Sequence, residues 1–125
     1  MTFDGRISVA TADDELAIRR LLDGALLEYD DLPEAIESEA VTVAATKDGR
    51  IRGVAVWEGE RTLRAIAVHS SHRGRGIGRA LVTAHDGPVV ATFDESVSRF
   101  YERLGFEIES QADGRMRGRL KRDPE

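Results

Sequence analysis

The pattern of apolar and polar positions predicts strands and helices that alternate along the chain. In residues 6–11, RISVAT, Ile7 and Val9 alternate with polar neighbours, which is the two-residue period of a half-buried strand. Thr11 or Asp13 is expected to cap a following helix, because a side-chain oxygen there accepts the free N–H groups of the first turn. Apolar residues at helical spacing extend this helix to about Tyr29: Ile18, Leu22, Ala25, Leu26 and Tyr29.

The middle of the chain is first acidic and then rich in β-formers. Residues 28–39 carry six acids and no base, and Pro33 suits the first turn of a short surface helix. Residues 40–59 contain two apolar runs around an Asp-Gly dipeptide, which is typical of a β-hairpin turn. Residues 61–69 predict one more strand, so the centre of the sheet is expected to be an antiparallel meander.

The second half alternates helices and strands behind a glycine-rich turn. Ile77, Leu81 and Val82 predict a helix that ends before a Gly-Pro pair, and the apolar run at 88–93 predicts a central strand. Residues 94–105 predict a helix with Asp94 as its cap and Gly105 at its end. Two closing strands are predicted in FEIES and GRMRGRL.

This order of elements predicts an α/β fold of the mixed α+β kind in one domain, residues 1–125. A central mixed, mostly antiparallel sheet of six to seven strands is expected to be flanked by helices. The strand–helix–strand unit at 62–93 is expected to be parallel and right-handed. A chain of 125 residues is long enough to bury a core without disulfide or metal support.

Composition excludes several kinds of site. The chain has no cysteine, which rules out a disulfide framework, a thiolate metal site and a cysteine nucleophile. Its three histidines lack a carboxylate or cysteine at familiar ligand spacing, so no metal site is predicted. Residues 1–20 lack the basic start and apolar run of a signal peptide, and no apolar run reaches the ~20 residues of a membrane span. These features predict a soluble cytoplasmic protein that binds no membrane.

Residues 67–81, AVHSSHRGRGIGRAL, place a polar turn between a predicted strand and a predicted helix. Backbone N–H groups converge there at the positive end of a helix dipole, which favours an anion. Three glycines lack the Cβ atoms that would obstruct a phosphate: Gly74, Gly76 and Gly78. Three arginines add charge: Arg73, Arg75 and Arg79. The spacing excludes a P-loop and the dinucleotide fingerprint, so the turn predicts a site for another phosphate-bearing ligand.

The segment RGRGIG, which runs from Arg73 to Gly78, resembles the [QR]-x-x-G-x-[GA] motif of the GCN5-related N-acetyltransferase (GNAT) family. A second segment, SRFYERLGFE at 98–107, is similar to the part of that family in which a tyrosine follows an aromatic residue and precedes a Gly-Phe pair. The resemblance covers nearly the whole chain. It implies a GNAT-like fold and an acetyl-CoA-dependent N-acetyltransferase that acts on a primary amine of a small molecule or protein.

The resemblance also implies roles for individual residues. The strand residues Ile66, Ala67 and Val68 would contact the pantetheine arm of acetyl-CoA, with backbone pairing at Ile66 and Val68. The turn would hold the pyrophosphate through a continuous set of residues: Arg73, Gly74, Arg75, Gly76, Ile77, Gly78 and Arg79. Tyr101 would act as general acid toward the thioester sulfur, because an ordinary tyrosine pKa of ~10 keeps it protonated at neutral pH. Asp94 stands where the family often has asparagine.

The general base and the acceptor are open at this level. Similar enzymes use a glutamate on the fourth strand, and TLRAIAV contains no carboxylate. The other candidates for the general base are Glu58 and Glu60, which precede that strand, and His69 and His72, which flank the turn. For each glutamate the alternative is a solvated turn residue, and for each histidine it is a structural or anion-facing role. The acidic stretch 28–39 would either steer a cationic amine or form a solvated helix face.

Two other functions are alternatives. A non-catalytic acyl-CoA-binding or regulatory module would keep the glycine turn without needing Tyr101 or a base. A nucleic-acid binder is disfavoured, because the chain carries a net charge of -5 and the arginines of GRMRGRL have no interleaved aromatics for base stacking. The oligomeric state, a homodimer included, and the length of the acyl chain are open.

Overall fold

A computed structural model describes residues 3–24, 31–84 and 87–120, which form one seven-stranded sheet with helices on both faces. The strands are β1 (Arg6–Val9), β2 (Val41–Ala45), β3 (Ile51–Glu58), β4 (Thr62–Val68), β5 (Val89–Phe93), β6 (Glu107–Ser110) and β7 (Met116–Leu120). The α-helices of the described ranges are α1 (Glu15–Gly24), α2 (Leu32–Glu37), α3 (Ile77–Thr83) and α4 (Ser98–Arg103). The predicted mixed α/β fold is therefore confirmed, with seven strands.

The strands lie in the order β1-β2-β3-β4-β5-β7-β6. The first four are antiparallel neighbours, and the turn between β2 and β3 is the predicted hairpin, in which Asp48 Oδ1 accepts the N–H of Arg50 at 3.1 Å. The β4–α3–β5 unit is parallel, as predicted. Strand β7 lies between β5 and β6 and is antiparallel to both, an insertion that the order of elements along the chain does not reveal.

Two hydrophobic cores lie on opposite faces of the sheet. On one face, α1 and α2 pack on β3 and β4, with Ile18, Leu32 and Val56 among the fully buried side chains. On the other face, α3 and α4 cover β4, β5 and their neighbours, with Leu81 and Tyr101 inside. The first face will be called the α1/α2 face and the second the α3/α4 face.

Two helices differ in detail from the sequence-based prediction. Leu21 is buried in α1 beside Ile18 and Leu22, although the predicted apolar stripe omits it, and the predicted continuation at residues 25–29 lies outside the described residues. The segment after β5 starts with a 3-10 turn, Glu95–Val97, and only then becomes α4. Asp94 caps that turn, because its Oδ2 accepts the N–H of Ser96 at 2.9 Å.

Candidate functional site

Strands β4 and β5 form a fork in the middle of the sheet. They pair only at Thr62–Val90 and Leu63–Ala91, although β4 continues to Val68. The divergence coincides with a bulge: Leu63 lies opposite Trp57 of β3, whereas Ala65 is opposite the preceding β3 residue, so that Arg64 is the extra residue. Bulges bend a strand and increase its twist. Among the described residues, no strand pairs with this edge of β4 beyond Leu63.

The backbone of β4 presents alternate residues to this open edge. The N–H of His69 donates to the carbonyl of Arg52 on β3 at 2.8 Å, so the alternation of an antiparallel ladder turns Ile66 and Val68 toward the fork. Arg73 Nε contacts the Val68 carbonyl at 3.4 Å. The backbone N–H and C=O groups of Ile66 and Val68 thus lie where an extended chain of amides would add as a further strand.

Ala67, the third strand residue of the predicted set, differs in orientation from Ile66 and Val68. By the same alternation its N–H and C=O face β3, and its side chain is buried in the core of the α1/α2 face. Ala67 therefore packs beneath the open edge, and its contact with the pantetheine arm stays a prediction.

The glycine turn has the geometry of an anion site. Gly74 and Gly76 have φ angles of 78° and 84°, a left-handed conformation that glycine adopts without strain. Nothing lies within 4 Å of a Cβ built on Gly74, so the space beside the backbone is open there. Gly76 precedes α3, and the first-turn N–H groups of Ile77, Gly78 and Arg79 have no intrahelical acceptor.

The arginines and the third glycine of the turn have different roles. Arg73, Arg75 and Arg79 are exposed and supply positive charge around the open backbone. Gly78, in contrast, is buried, and a Cβ there would come within 3.2 Å of Leu104. Gly78 therefore allows α3 to pack against α4, and the sequence motif alone does not separate this role from phosphate contact.

The two histidines of the turn form a hydrogen-bonded group around Ser71. Its N–H donates to His69 Nδ1 at 3.1 Å, and its hydroxyl lies 2.7 and 2.8 Å from Nδ1 of His69 and His72. Desolvation lowers the pKa of His72, and the positive charges of Arg52 and Arg75 lower it further. These contacts order the loop between β4 and α3, which fits the structural role considered for both histidines.

Tyr101 lies in an aromatic cluster on the α3/α4 face. Its ring stacks on Phe93 with centroids 3.9 Å apart and meets the edges of Phe100 and Phe106 at 5.3 and 5.4 Å. Burial raises the pKa of Tyr101 to about 12, so its hydroxyl keeps its proton throughout the neutral range. Gly118 of β7 makes room for this cluster, because a Cβ there would approach Phe93 and Phe106 to 3.0 and 3.1 Å.

The structure separates the two glutamates that precede β4. Glu58 lies opposite Thr62 and two residues after Val56, which places it on the α1/α2 face, one residue pair before the fork opens. Glu60 instead lines a groove of about 580 Å³ with Trp57 and Leu81 on the α3/α4 side. Of these two glutamates, Glu58 therefore lies on the α1/α2 side of the sheet near the fork, and Glu60 lies on the other side.

Other predicted features lie away from the fork. The described acids of the acidic stretch are exposed, and Leu32 and Ile36 form the buried side of α2, which fits a solvated helix face. A second groove of about 530 Å³ borders the glycine turn at His72 and Arg75. Within residues 3–24, 31–84 and 87–120, no three His, Cys, Asp or Glu side chains cluster as metal ligands, and no helix could cross a membrane.

Sequence analysis missed Arg64 and Thr92, which lie on opposite sides of the fork just beyond the last β4–β5 residue pair. A signal for the bulge was present in β4. Leu63 and Ile66 both belong to the core of the α3/α4 face although they are three residues apart, which breaks the two-residue period of a regular strand.

Comparison with known proteins places these features in a family. A family model of the acetyltransferase (GNAT) domain matches residues 37–108. An acetyltransferase of the GNAT family from Listeria monocytogenes superposes with a TM-score of 0.72 at 14% identity, over 96% of either chain. One from Desulfovibrio desulfuricans gives 0.69 at 24% identity, over 93% of this chain and 96% of the other. A phosphinothricin acetyltransferase from Sinorhizobium meliloti, in complex with AcCoA, gives 0.66 at 17% identity, over 97% and 89%. No curated protein matches the chain by sequence.

Proposed function

Because the family match covers more than half of its residues, the chain belongs to the GNAT acetyltransferase family, and we propose that it transfers an acetyl group from acetyl-CoA to a primary amine. The observation that carries this proposal is the fork between β4 and β5, whose open edge leads directly into the glycine turn. One end of this continuous surface suits amides, and the other suits a pyrophosphate.

The residues of the fork and the turn fit acetyl-CoA as the donor. Ile66 and Val68 offer backbone donors and acceptors to its pantetheine amides, while the open space at Gly74 and the left-handed backbone of Gly74 and Gly76 admit the pyrophosphate. Arg73, Arg75 and Arg79 complement the phosphate charge. Acetyl-CoA supplies the thioester whose acyl carbon the amine attacks.

Tyr101 is the general acid of the proposal. Its hydroxyl holds a proton at every pH at which an amine acceptor is partly neutral, since its pKa is raised to about 12. An ordinary thiol has a pKa of ~8.5, so the proton is bound more strongly by the tyrosine than by the leaving sulfur. As general acid, Tyr101 therefore donates a hydrogen bond to that sulfur as negative charge develops, and its proton is only partly transferred in the transition state.

Glu58 is the base candidate of the proposal. An amine with a pKa of ~10.4 is almost entirely protonated at neutral pH and must lose a proton before it attacks. Glu58 is exposed on the α1/α2 face near the fork, where water would connect its carboxylate to the amine. The sequence also favours a cytoplasmic location, which is part of the proposal. The proposal includes no particular oligomeric state.

The proposal is tested by calorimetric titration with acetyl-CoA, together with thiol release in the presence of primary amines. Gly76→Asp is expected to abolish acetyl-CoA binding, because it adds a side chain and a negative charge where φ is 84°. Gly114→Asp is the matched control, since Gly114 has a φ of 85° in the β6–β7 turn and nothing lies within 4 Å of a Cβ built on it. If both variants lose binding, or neither does, the assignment of the turn is wrong.

The experiment also separates the transferase from the non-catalytic module. Tyr101→Phe is expected to lower kcat by about a hundredfold while acetyl-CoA still binds. Glu58→Gln is expected to lower the rate most at neutral pH and less at alkaline pH, where more of the amine is already neutral. Binding of acetyl-CoA without thiol release for any amine would favour the regulatory module.

A further inference from the structure

The α1/α2 face of the sheet is open beyond the fork. Helices α1 and α2 pack on β3 and β4, and the core on that side contains no described residue of β5, β6 or β7. The other face of these three strands is covered, with Val89, Ala91 and Phe93 buried there. Residues that alternate with the buried ones therefore point to solvent beside the fork.

Arginines occupy this open face. Thr92 lies opposite Arg117 of β7, and Val90 lies opposite Arg119, so both arginines share the outward side of β5. Both are exposed and lie opposite Glu109 and Glu107 of β6, and within the described ranges neither arginine is in an ion pair. Arg115, at the start of β7, reaches the Thr92 carbonyl with Nη2 at 3.4 Å.

The bulge adds a third arginine from the opposite side of the fork. Leu63 and Ile66 both face the α3/α4 core, so the two residues between them, Arg64 and Ala65, share the α1/α2 face. Ala65 is buried beneath the helices, whereas Arg64 is exposed. Arg64 and Thr92 each lie two residues beyond the paired Thr62 and Val90, so they flank the opening of the fork, and Arg117 lies beside Thr92 on β7.

Arg64, Arg117 and Arg119, here called the arginine face, surround the entrance to the fork on this side. Neighbouring strands are about 4.8 Å apart, so β4 and β7 are separated by roughly 10 Å where β5 pairs with both. Arginine side chains from the two strands can therefore reach one small anion between them. A guanidinium binds carboxylate and phosphate oxygens with two parallel hydrogen bonds.

We propose that the acceptor is a small primary amine that also carries an anionic group, a carboxylate or a phosphate, which binds the arginine face while the amine enters the fork. This inference rests on the proposed function, because it assigns the acceptor side of the same site.

The test uses primary amines in matched sets, in which the same amine carries a carboxylate, a phosphate or a neutral carboxamide. Thiol release measures turnover. Calorimetry measures binding of the corresponding acetylated amines to the CoA-loaded protein, so that it does not depend on catalysis. The anionic members are expected to have at least about tenfold higher kcat/KM and affinity than the carboxamides, and the stronger anion identifies the group.

Two variants and a control locate the effect. Arg64→Gln and Arg117→Gln are each expected to reduce the anion-to-carboxamide ratio about tenfold. Arg6→Gln removes the same charge from an exposed position on the edge strand β1 and is expected to keep the ratio. Added salt should reduce the ratio in the wild type more than in Arg117→Gln, because exposed charges are screened.

The outcomes distinguish this inference from the proposed function. Thiol release with equal or better use of the carboxamides, or an unchanged ratio in both arginine variants, would overturn the inference and leave the transferase in place. Selective binding of the anionic products that Arg117→Gln abolishes, without thiol release for any amine, would support the arginine face and overturn the transferase. Absence of any anion-selective binding would refute the arginine face whether or not turnover occurs.

Discussion

Raising the pH is expected to destabilise the protein through Tyr101. The ordinary pKa of 10.0 applies in the unfolded chain, and burial raises the pKa in the folded protein to about 12. Between these values the folded state holds a proton that the unfolded state has lost, so the free energy of unfolding falls as pH rises. A difference of two pKa units, at 1.36 kcal/mol each, lowers the free energy of unfolding by about 2.7 kcal/mol. This decrease begins near pH 10 and is complete above pH 12.

The assay is denaturant unfolding from about pH 9 to about pH 12 with the wild type and Tyr101→Phe. Tyr29 and all other titrating groups are present in both proteins, so the difference between the two curves isolates Tyr101. The wild type should lose about 2.7 kcal/mol relative to the variant, and its tyrosinate absorbance should show one tyrosine that ionises late. Parallel curves, or ionisation of Tyr101 near its ordinary pKa, would refute the argument that its hydroxyl is desolvated.

Three further substitutions test the packing around the site. Gly118→Ala should destabilise the protein by about 1–3 kcal/mol in denaturant unfolding, because the added Cβ would lie 3.0 Å from the ring of Phe93 and 3.1 Å from that of Phe106, which pack on Tyr101. A cost near zero would mean that these rings move freely. Gly24→Ala should stabilise it by up to about 1 kcal/mol, since the residue ends α1 with nothing within 4 Å of the added Cβ; destabilisation would contradict the helical assignment. Asp94→Ala should lower Tm, because it removes the carboxylate that accepts the N–H of Ser96. Hydrogen bonds from Ser96 lower the pKa of Asp94 in the folded protein. The stabilisation by Asp94 should therefore be lost as the pH falls through and below the pKa of its carboxyl group. Asp94→Asn should lower Tm less than Asp94→Ala does, and its effect should not depend on pH in this way.

The elements with local causes were predictable from the sequence. The Asp48-Gly49 turn and its flanking apolar runs determine a hairpin within about twenty residues, and Gly49 has the positive φ that such a turn requires. The glycine turn was predictable for the same reason, because Gly74 and Gly76 adopt backbone conformations that other residues rarely reach. In both places the information lies in adjacent residues.

Features that depend on contacts distant in sequence were not predictable. The placement of β7 between β5 and β6 depends on pairing such as Phe93 with Met116, and on Gly118, which leaves room for the aromatic cluster. Glu58 and Glu60 lie on opposite sides of the sheet, and this placement depends on the direction that the backbone takes at the end of β3. Neighbouring residues in a strand point to opposite faces, so an error of one position reverses the interpretation of such a pair.

The bulge at Arg64 connects the fold to the chemistry of the acceptor. A regular β4 would place Leu63 and Ile66 on opposite faces, and one of these apolar side chains would leave the core of the α3/α4 face. The extra residue keeps both buried there, and it ends the pairing with β5 and places Arg64 outside. The bulge that keeps two apolar side chains buried thus coincides with the opening of the fork and leaves a positive charge beside it. The same three-residue spacing in another chain of this fold predicts a fork at the same place, with the side chain at the bulge position facing the acceptor.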